Sequence, residues 1–450
     1  MGATHVDEVR AKTVLNQPTQ PTRTPYKPKV VFLNRSYWPD SEATGQLLTD
    51  LCVHLATTLD IHVVCGQPNS PSVKEFKAIG TEVRDGVTIH RLKHTCFAKR
   101  VPAGRLINLV SFTRASAKYL RKTELGADIV VSETDPFLLP TVGAKYAARV
   151  NAKLVCYLQD IYPDVAEAIG KVKPGLVTNQ IRKRLQASYA AADRVIVLGS
   201  CMKRRLAAAP WSIKPDAMRV IPNWADASSI APLDTETNPF RDRESLTDKF
   251  VVMHSGNMGL TQRLDVLVAA TRSPHWPDHA VLLLVGDGAA RSELAALAKQ
   301  SPDGRVRLLP YQPRSELAQS LSAADLHVVS MHENITGCLC PSKLYGILAA
   351  GRPVLAIADK TTDLCETVQR HDIGWCCQPG DSQTIAKAVL TAANDQPARQ
   401  AAGQRARDVA CSTYDRSVVT KQFATLLTEL CPTDSADSAA VHNSVASAVN

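Results

Sequence analysis

The sequence predicts an α/β protein made of two Rossmann-like halves that face each other across a cleft. Three observations lead there. Short β-branched runs alternate with apolar residues at helical spacing, the pattern of a parallel sheet covered by helices. The alternation occurs twice, on either side of a polar Pro/Thr/Asp-rich segment that ends near Phe240. The 450 residues are also enough for two or three domains.

The elements follow in order. Val30 to Leu33 reads as the first strand, and Thr44 to Thr57 as a helix with Leu47, Leu48, Leu51 and Leu55 on its apolar face. Ile61 to Gly66 is the second strand, and Glu82 to Leu92 a hairpin around the turn dipeptide Asp85-Gly86. Strands over Asp128–Val131 and Leu154–Leu158 come next, and Val195–Leu198 closes the first set. The second set comprises Phe250–Gly256, Ala280–Gly286, Val306–Leu309, Leu326–Val329 and Val354–Ile357. Ile221 to Asp226, with the polar stretch after it, is the expected linker.

Composition narrows the function classes. A hydrophobic share of 45% is that of an ordinary soluble globular protein. No run approaches the roughly twenty apolar residues of a membrane span, and Met1 to Lys29 lacks the apolar region of a secretory signal. The twelve Cys include no CxxC pair, which argues against a zinc or redox motif and for buried thiols in a reducing cytosol. The formal charge of +9 points to an anionic partner. The bases cluster at Lys99-Arg100 with Arg105, at Arg114, Lys118 and Arg121-Lys122, at Arg182-Lys183-Arg184, and at Lys203-Arg204-Arg205. Aromatics at 5% leave little for a nucleic-acid stacking platform, so no nucleic acid is expected. An anionic membrane surface or solvated helix faces account for the bases instead.

The most informative stretch is Pro341 to Leu355, in which a loop carrying Ser342 and Lys343 opens a short apolar helix that stops at Gly351 before a strand. Free amides at a helix start, beside a lysine, suit a diphosphate. The segment resembles the PSKxYxxLAAGxPV motif of retaining GT-B glycosyltransferases of the GT4 family. Within that family it is similar to the polysaccharide-assembly subgroup labelled WbuB-like or WcaI-like. Four other stretches resemble the family in the right order: the loop Asn34 to Gly45, His254 to Asp265, Gly286-Asp287-Gly288, and Gly374 with Pro379-Gly380-Asp381. The resemblance runs from about residue 28 to 425.

The resemblance implies an acceptor domain over 28–226, a nucleotide-sugar donor domain over 227–412 and a helix over 413–431 that crosses back to the first half. Disordered tails are expected at 1–27 and 432–450. It implies a sugar transfer from a nucleotide diphosphate donor, UDP-linked, with retention, to a lipid-linked or surface-polysaccharide acceptor at the cytoplasmic leaflet. No cofactor and no metal are expected, since helix ends and bases neutralise the diphosphate in this fold. Lys343 is assigned to the leaving diphosphate, with Ser342 beside it. Gly45, Gly256, Asn257, Arg263 and Gly286 are further donor-binding candidates, and Tyr311 is placed near the nucleobase. Asp160, just past a strand end, either receives or orients the acceptor hydroxyl, or caps the next helix.

One feature departs from the family. Its E-x7-E pair falls here on Cys338 and Gly346, so both carboxylates are missing, and Glu333 is the nearest substitute for holding the ribose. Two alternatives therefore stand beside transfer: another GT-B enzyme such as a UDP-sugar 2-epimerase, and a catalytically silent GT-B binding or assembly protein.

Overall fold

The computed structural model describes residues 26–40, 42–68, 79–97, 102–302 and 304–431. Most of the two expected tails, and the pair Lys99-Arg100, lie outside these residues. Tyr26 and Lys27 instead belong to the folded body, where Tyr26 donates to Asp128 and Lys27 to the Thr57 carbonyl.

The first half holds β1 (Lys29–Leu33), α1 (Ala43–Leu55), β2 (Asp60–Gly66), β3 (Gly80–Arg84), β4 (Val87–Leu92), α2 (Pro102–Lys122), β5 (Ile129–Glu133) and α3 (Leu139–Val150). It continues with β6 (Lys153–Leu158), α4 (Asp164–Ala168), α5 (Leu176–Ala190), β7 (Arg194–Val197), α6 (Ser200–Ala207) and β8 (Met218–Val220). The second half holds α7 (Pro239–Arg243), β9 (Phe250–Ser255), α8 (Leu264–Ala270), β10 (Ala280–Val285), α9 (Arg291–Ala298), β11 (Val306–Leu309), α10 (Leu317–Ser322) and β12 (Leu326–Ser330). After these come α11 (Lys343–Ala349), β13 (Val354–Ile357), α12 (Asp363–Arg370), β14 (Gly374–Cys377), α13 (Ser382–Asn394), α14 (Gln396–Thr413) and α15 (Arg416–Leu430).

The first sheet runs β3-β4-β2-β1-β5-β6-β7-β8 and the second β11-β10-β9-β12-β13-β14. Neighbours are parallel throughout except for the β3–β4 hairpin. Helices cover both faces of such sheets, so central strands such as β5 and β10 are buried along their whole length. Two edge strands were not legible as strands. Val195–Leu198 does not close the first set, because β8 follows it with only three residues, two of them exposed. β14 opens on Gly374, which the sequence marks only by its resemblance to the family, yet it pairs along the length of β13.

The helix α15 leaves the second half and packs on the first. Val419, Phe423, Leu426 and Leu427 sit in the first half's core, and the Phe423 ring contacts Tyr157 and Trp224 with centroids 5.0 and 6.1 Å apart. The two chain crossings lie side by side. Ala225 and Asp415 form a parallel bridge, the Ala225 amide donates to the Tyr414 carbonyl, and Arg416 ion-pairs with Asp226 at 3.1 Å.

Phe423 therefore joins both crossings to the core. Phe423→Ala should lower unfolding stability by about 3–5 kcal/mol, read from the shift in denaturation midpoint. A loss below about 1 kcal/mol would mean that α15 is not integral to the first half.

Candidate active site

The carboxyl ends of the strands in the two halves face each other. The loop after β6 meets the loop after β12, where Asp160 and Leu339 form an antiparallel bridge and the Ile161 amide donates to the Cys338 carbonyl at 2.8 Å. The loop after β7 meets the loop after β13, where Asp363 accepts from the Ser200 amide at 2.6 Å. Crevices outside parallel strand ends are the usual ligand sites of such sheets.

On the second half, the loops after β9 and β10 approach backbone to backbone. Gly286 has φ of +137°, and a Cβ there would stand 2.0 Å from the Gly256 carbonyl oxygen, so no side chain fits. Gly256 itself has φ of +127°, and the Lys343 side chain lies directly over it, with Cε and Nζ 3.5 and 3.8 Å from where a Cβ would be. Lys343 Nζ is 3.0 Å from Nε2 of His254, at the buried end of β9. Burial pulls the lysine down to about 7. Burial first, and then the charge of Lys343, holds His254 well below the usual histidine range. The imidazole is thus neutral, and its Nε2 also faces the Asn257 carbonyl at 3.4 Å.

The other donor-side candidates surround this pair. Asn257 is exposed beside it, and its side-chain amide is held close to Gly259 and Gly288. Ser342 is exposed at the start of α11 and makes no side-chain cap bond. Tyr311 is exposed and donates to the Asp287 carbonyl at 3.4 Å, which places it next to Gly286. Arg263 and Glu333 meet each other at 3.1 Å, and Arg263 also pairs with Asp265 at 3.1 Å. The charge of Arg263 is therefore already compensated by two carboxylates. The His332 amide donates to the Thr261 carbonyl at 2.7 Å and ties the two loops together.

Gly45 and Asp160 stand apart from that group, on the first half. Gly45 lies against Ser36 in the first turn of α1. Asp160 does not cap the following helix. Pro163 occupies the N-cap position of α4, and Asp160 Oδ1 accepts from Thr134 Oγ1 at 2.9 Å. Burial pushes the Asp160 carboxyl up to about 7.

Sequence reasoning missed the charged network beside Asp160. Arg35 pairs with Glu42 at 2.7 Å and with Asp135 at 2.9 Å. Glu133, at the end of β5, is buried, and burial first, then Asp135 and Asp160, holds it well above the carboxylate range. Asp135 lies two residues past β5, as Asp160 lies two past β6, so the strand-end rule that picked out Asp160 applied there equally. His254 carried no such signal. Its partner is 89 residues away in sequence.

At the family's carboxylate positions, Cys338 is buried in the second half's core. A Cβ at Gly346 would lie 3.4 Å from Leu321 and 4.0 Å from Ile230, facing apolar side chains.

Known domain families match both halves. Residues 44–224 match the glycosyl transferase 4-like domain, and residues 236–409 match glycosyl transferases group 1. The two halves form a glycosyltransferase of the GT-B fold. Among relatives, a probable glycosyltransferase, WbjE, from Pseudomonas aeruginosa is 27% identical over 58% of this chain and 65% of its own length. The putative colanic acid biosynthesis glycosyl transferase WcaI of Escherichia coli K12 is 26% identical over 71% of this chain and 78% of its own. In structure, Anabaena HepE, solved with UDP and glucose, superposes with a TM-score of 0.67 at 17% identity, over 89% of this chain and 99% of its own. This GT-B glycosyltransferase has, among the described residues, no helix long and apolar enough to cross a membrane.

The raised Asp160 carboxyl sets a pH dependence of stability. Its pKa in the fold, about 7, lies above the unfolded value of 3.8, so the folded state holds the proton more tightly. Stability from this group is full below about pH 4 and falls as pH rises toward 7, by at most about 1.4 kcal/mol per unit. Asp160→Asn should therefore raise the melting temperature at pH 8 and leave it nearly unchanged at pH 4. Equal shifts at both pH values would show that Asp160 is ionised in the fold.

Proposed function

We propose that the protein transfers a sugar from a nucleotide diphosphate donor, UDP-linked, to a lipid-linked or surface-polysaccharide acceptor, with retention at the anomeric carbon. The observation that carries this is Lys343 lying over Gly256 beside the glycine-lined ends of β9 and β10. A diphosphate seated there faces backbone without side chains in its way and one lysine whose charge burial has weakened. The negative ligand restores that charge, and the interaction strengthens as the glycosidic bond loosens and the leaving oxygen gains charge. Lys343 supplies the counter-charge, so transfer should need no Mg²⁺ or Mn²⁺. On the facing half, Asp160 has a carboxyl that changes charge near neutral pH and can exchange a proton with an acceptor hydroxyl. Similar proteins are in keeping: HepE was solved with UDP and glucose, and WcaI is named for colanic acid biosynthesis.

The missing carboxylates at Cys338 and Gly346 support a second reading, a GT-B protein that binds a nucleotide sugar without transferring it. UDP binding with no UDP release from any acceptor would favour it.

Lys343→Ala should weaken UDP binding by about 1.5–3 kcal/mol and lower turnover with the fold intact. A second measurement isolates the charge. At about pH 8 the free lysine is mostly neutral, so UDP binding should take up protons, read by calorimetry in buffers of different ionisation enthalpy. The uptake should vanish in Lys343→Ala. Unchanged UDP affinity in the variant would refute the assignment.

A lipid-linked acceptor calls for a membrane-facing surface, and the bases divide on this point. Arg182 pairs with Asp164 and Glu167, Arg204 with Glu366, and Arg205 with Asp164, so these charges are already compensated by carboxylates. On α2, by contrast, Arg114, Lys118 and Arg121 share one exposed helix face with Ile107, and Arg105, Leu106 and Lys122 are exposed beside it. Bases with apolar residues at one end suit a peripheral contact with anionic lipid. The protein should bind anionic vesicles in a salt-sensitive way, each exposed base contributing about 1 kcal/mol. Arg121→Glu with Lys122→Glu should weaken that binding. Equal partitioning onto neutral and anionic vesicles would overturn it.

A further inference from the structure

Sequence spacing gave no reason to expect a metal site, yet the fold gathers two thiols and a carboxylate at one point. Cys201 stands in the first turn of α6 on the first half, Cys340 in the loop before α11, and Asp363 at the start of α12. The sulfurs and a carboxylate oxygen lie within 4.8 Å of one another. Both thiols aim at the same atom: Cys201 Sγ makes a close contact with Asp363 Oδ2, and Cys340 Sγ is 3.6 Å from it. Asp363 is fixed independently, accepting from the Ser200 amide at 2.6 Å, the Ser200 hydroxyl at 2.7 Å and the Cys201 amide at 3.0 Å. Cys201 is buried and Cys340 partly so, and cavities of about 340 Å³ and about 240 Å³ open on either side of the cluster.

We propose that Cys201, Cys340 and Asp363 form a binding site for a soft divalent cation of the Zn²⁺ class, shared between the two halves. Two thiols and a carboxylate are a donor set that thiophilic ions prefer over Mg²⁺ or Ca²⁺. Binding replaces the two S–H protons with one ion, M²⁺ taking two thiolates and the carboxylate and releasing two protons to solvent. A fourth, tetrahedral position stays open to water. The complex carries one net negative charge. The amino end of α6 stands beside it to offset part of that charge.

The position gives the ion a consequence. Its ligands come from both sides of the cleft, and Cys340 is three residues before Lys343. A bound ion therefore fixes the spacing of the halves at the edge of the cleft formed by the loops after β7 and β13, and braces the loop that carries Lys343.

The test uses the reduced full-length protein with Co²⁺ and Zn²⁺ as probes. Co²⁺ should give a thiolate-to-metal charge-transfer band at one ion per chain, with two protons released per ion, and Zn²⁺ should displace it and raise the melting temperature. Cys201→Ser with Cys340→Ser should abolish the band and the stabilisation. Asp363→Asn also removes a helix cap, so the Cys pair carries the test, with circular dichroism to check that the variant is folded. A charge-transfer band that persists in the folded double variant would place the ion on other cysteines and overturn the proposal. So would a reduced wild-type protein that binds no Co²⁺ while mild oxidation yields a mapped Cys201–Cys340 disulfide.

Discussion

The donor side of this protein is arranged around the placing of one lysine ammonium where water is scarce. Lys343 can lie against the floor of the cleft because Gly256 and Gly286 bring the ends of β9 and β10 together with no Cβ between them and the ligand space. It can stay there because His254, buried and neutral, stands 3.0 Å from it without adding a second positive charge. Burial of an ammonium is costly, and the lowered affinity for its proton is the measure of that cost. An anionic ligand relieves it.

The two halves are joined unevenly, which bears on how the cleft works. Both chain crossings run together near Ala225 and Asp415, and α15 extends the second crossing into the core of the first half. Further contacts link the halves at Asp160 with Leu339, around Asp363, between Asp50 and Arg314, and through α4, whose Val165 packs in the second half's core. The cluster of Cys201, Cys340 and Asp363 sits on one of the loop contacts, so its occupancy acts on the relation between the halves.

Much of the architecture was legible because burial writes itself into the sequence. Strands covered on both faces must be mostly apolar runs, and β1, β2, β5, β6, β7, β9, β10, β12 and β13 read that way. The misses were the edge strands β8 and β14, since one neighbour and partial exposure leave a strand few constraints on its composition. Basic residues were also misread in part. Sequence counts charges but cannot see that Arg182, Arg204 and Arg205 face carboxylates of α4 and α12.

The sequence by itself determined that there are two parallel-sheet halves, and it singled out candidate residues in loops at the carboxyl ends of strands, Lys343 of the Pro341 to Leu355 segment first among them. Local rules suffice for these, because periodicity, glycine positions and loop placement are properties of neighbours in the chain. Only the tertiary structure decided that Lys343 faces His254, that Arg263 and Glu333 pair with each other, that Asp160 accepts from Thr134 instead of capping α4, and that two cysteines 139 residues apart share one carboxylate. Each of these is a contact between residues far apart in the chain, set by which strand ends the sheet order brings together, and no local pattern encodes that order.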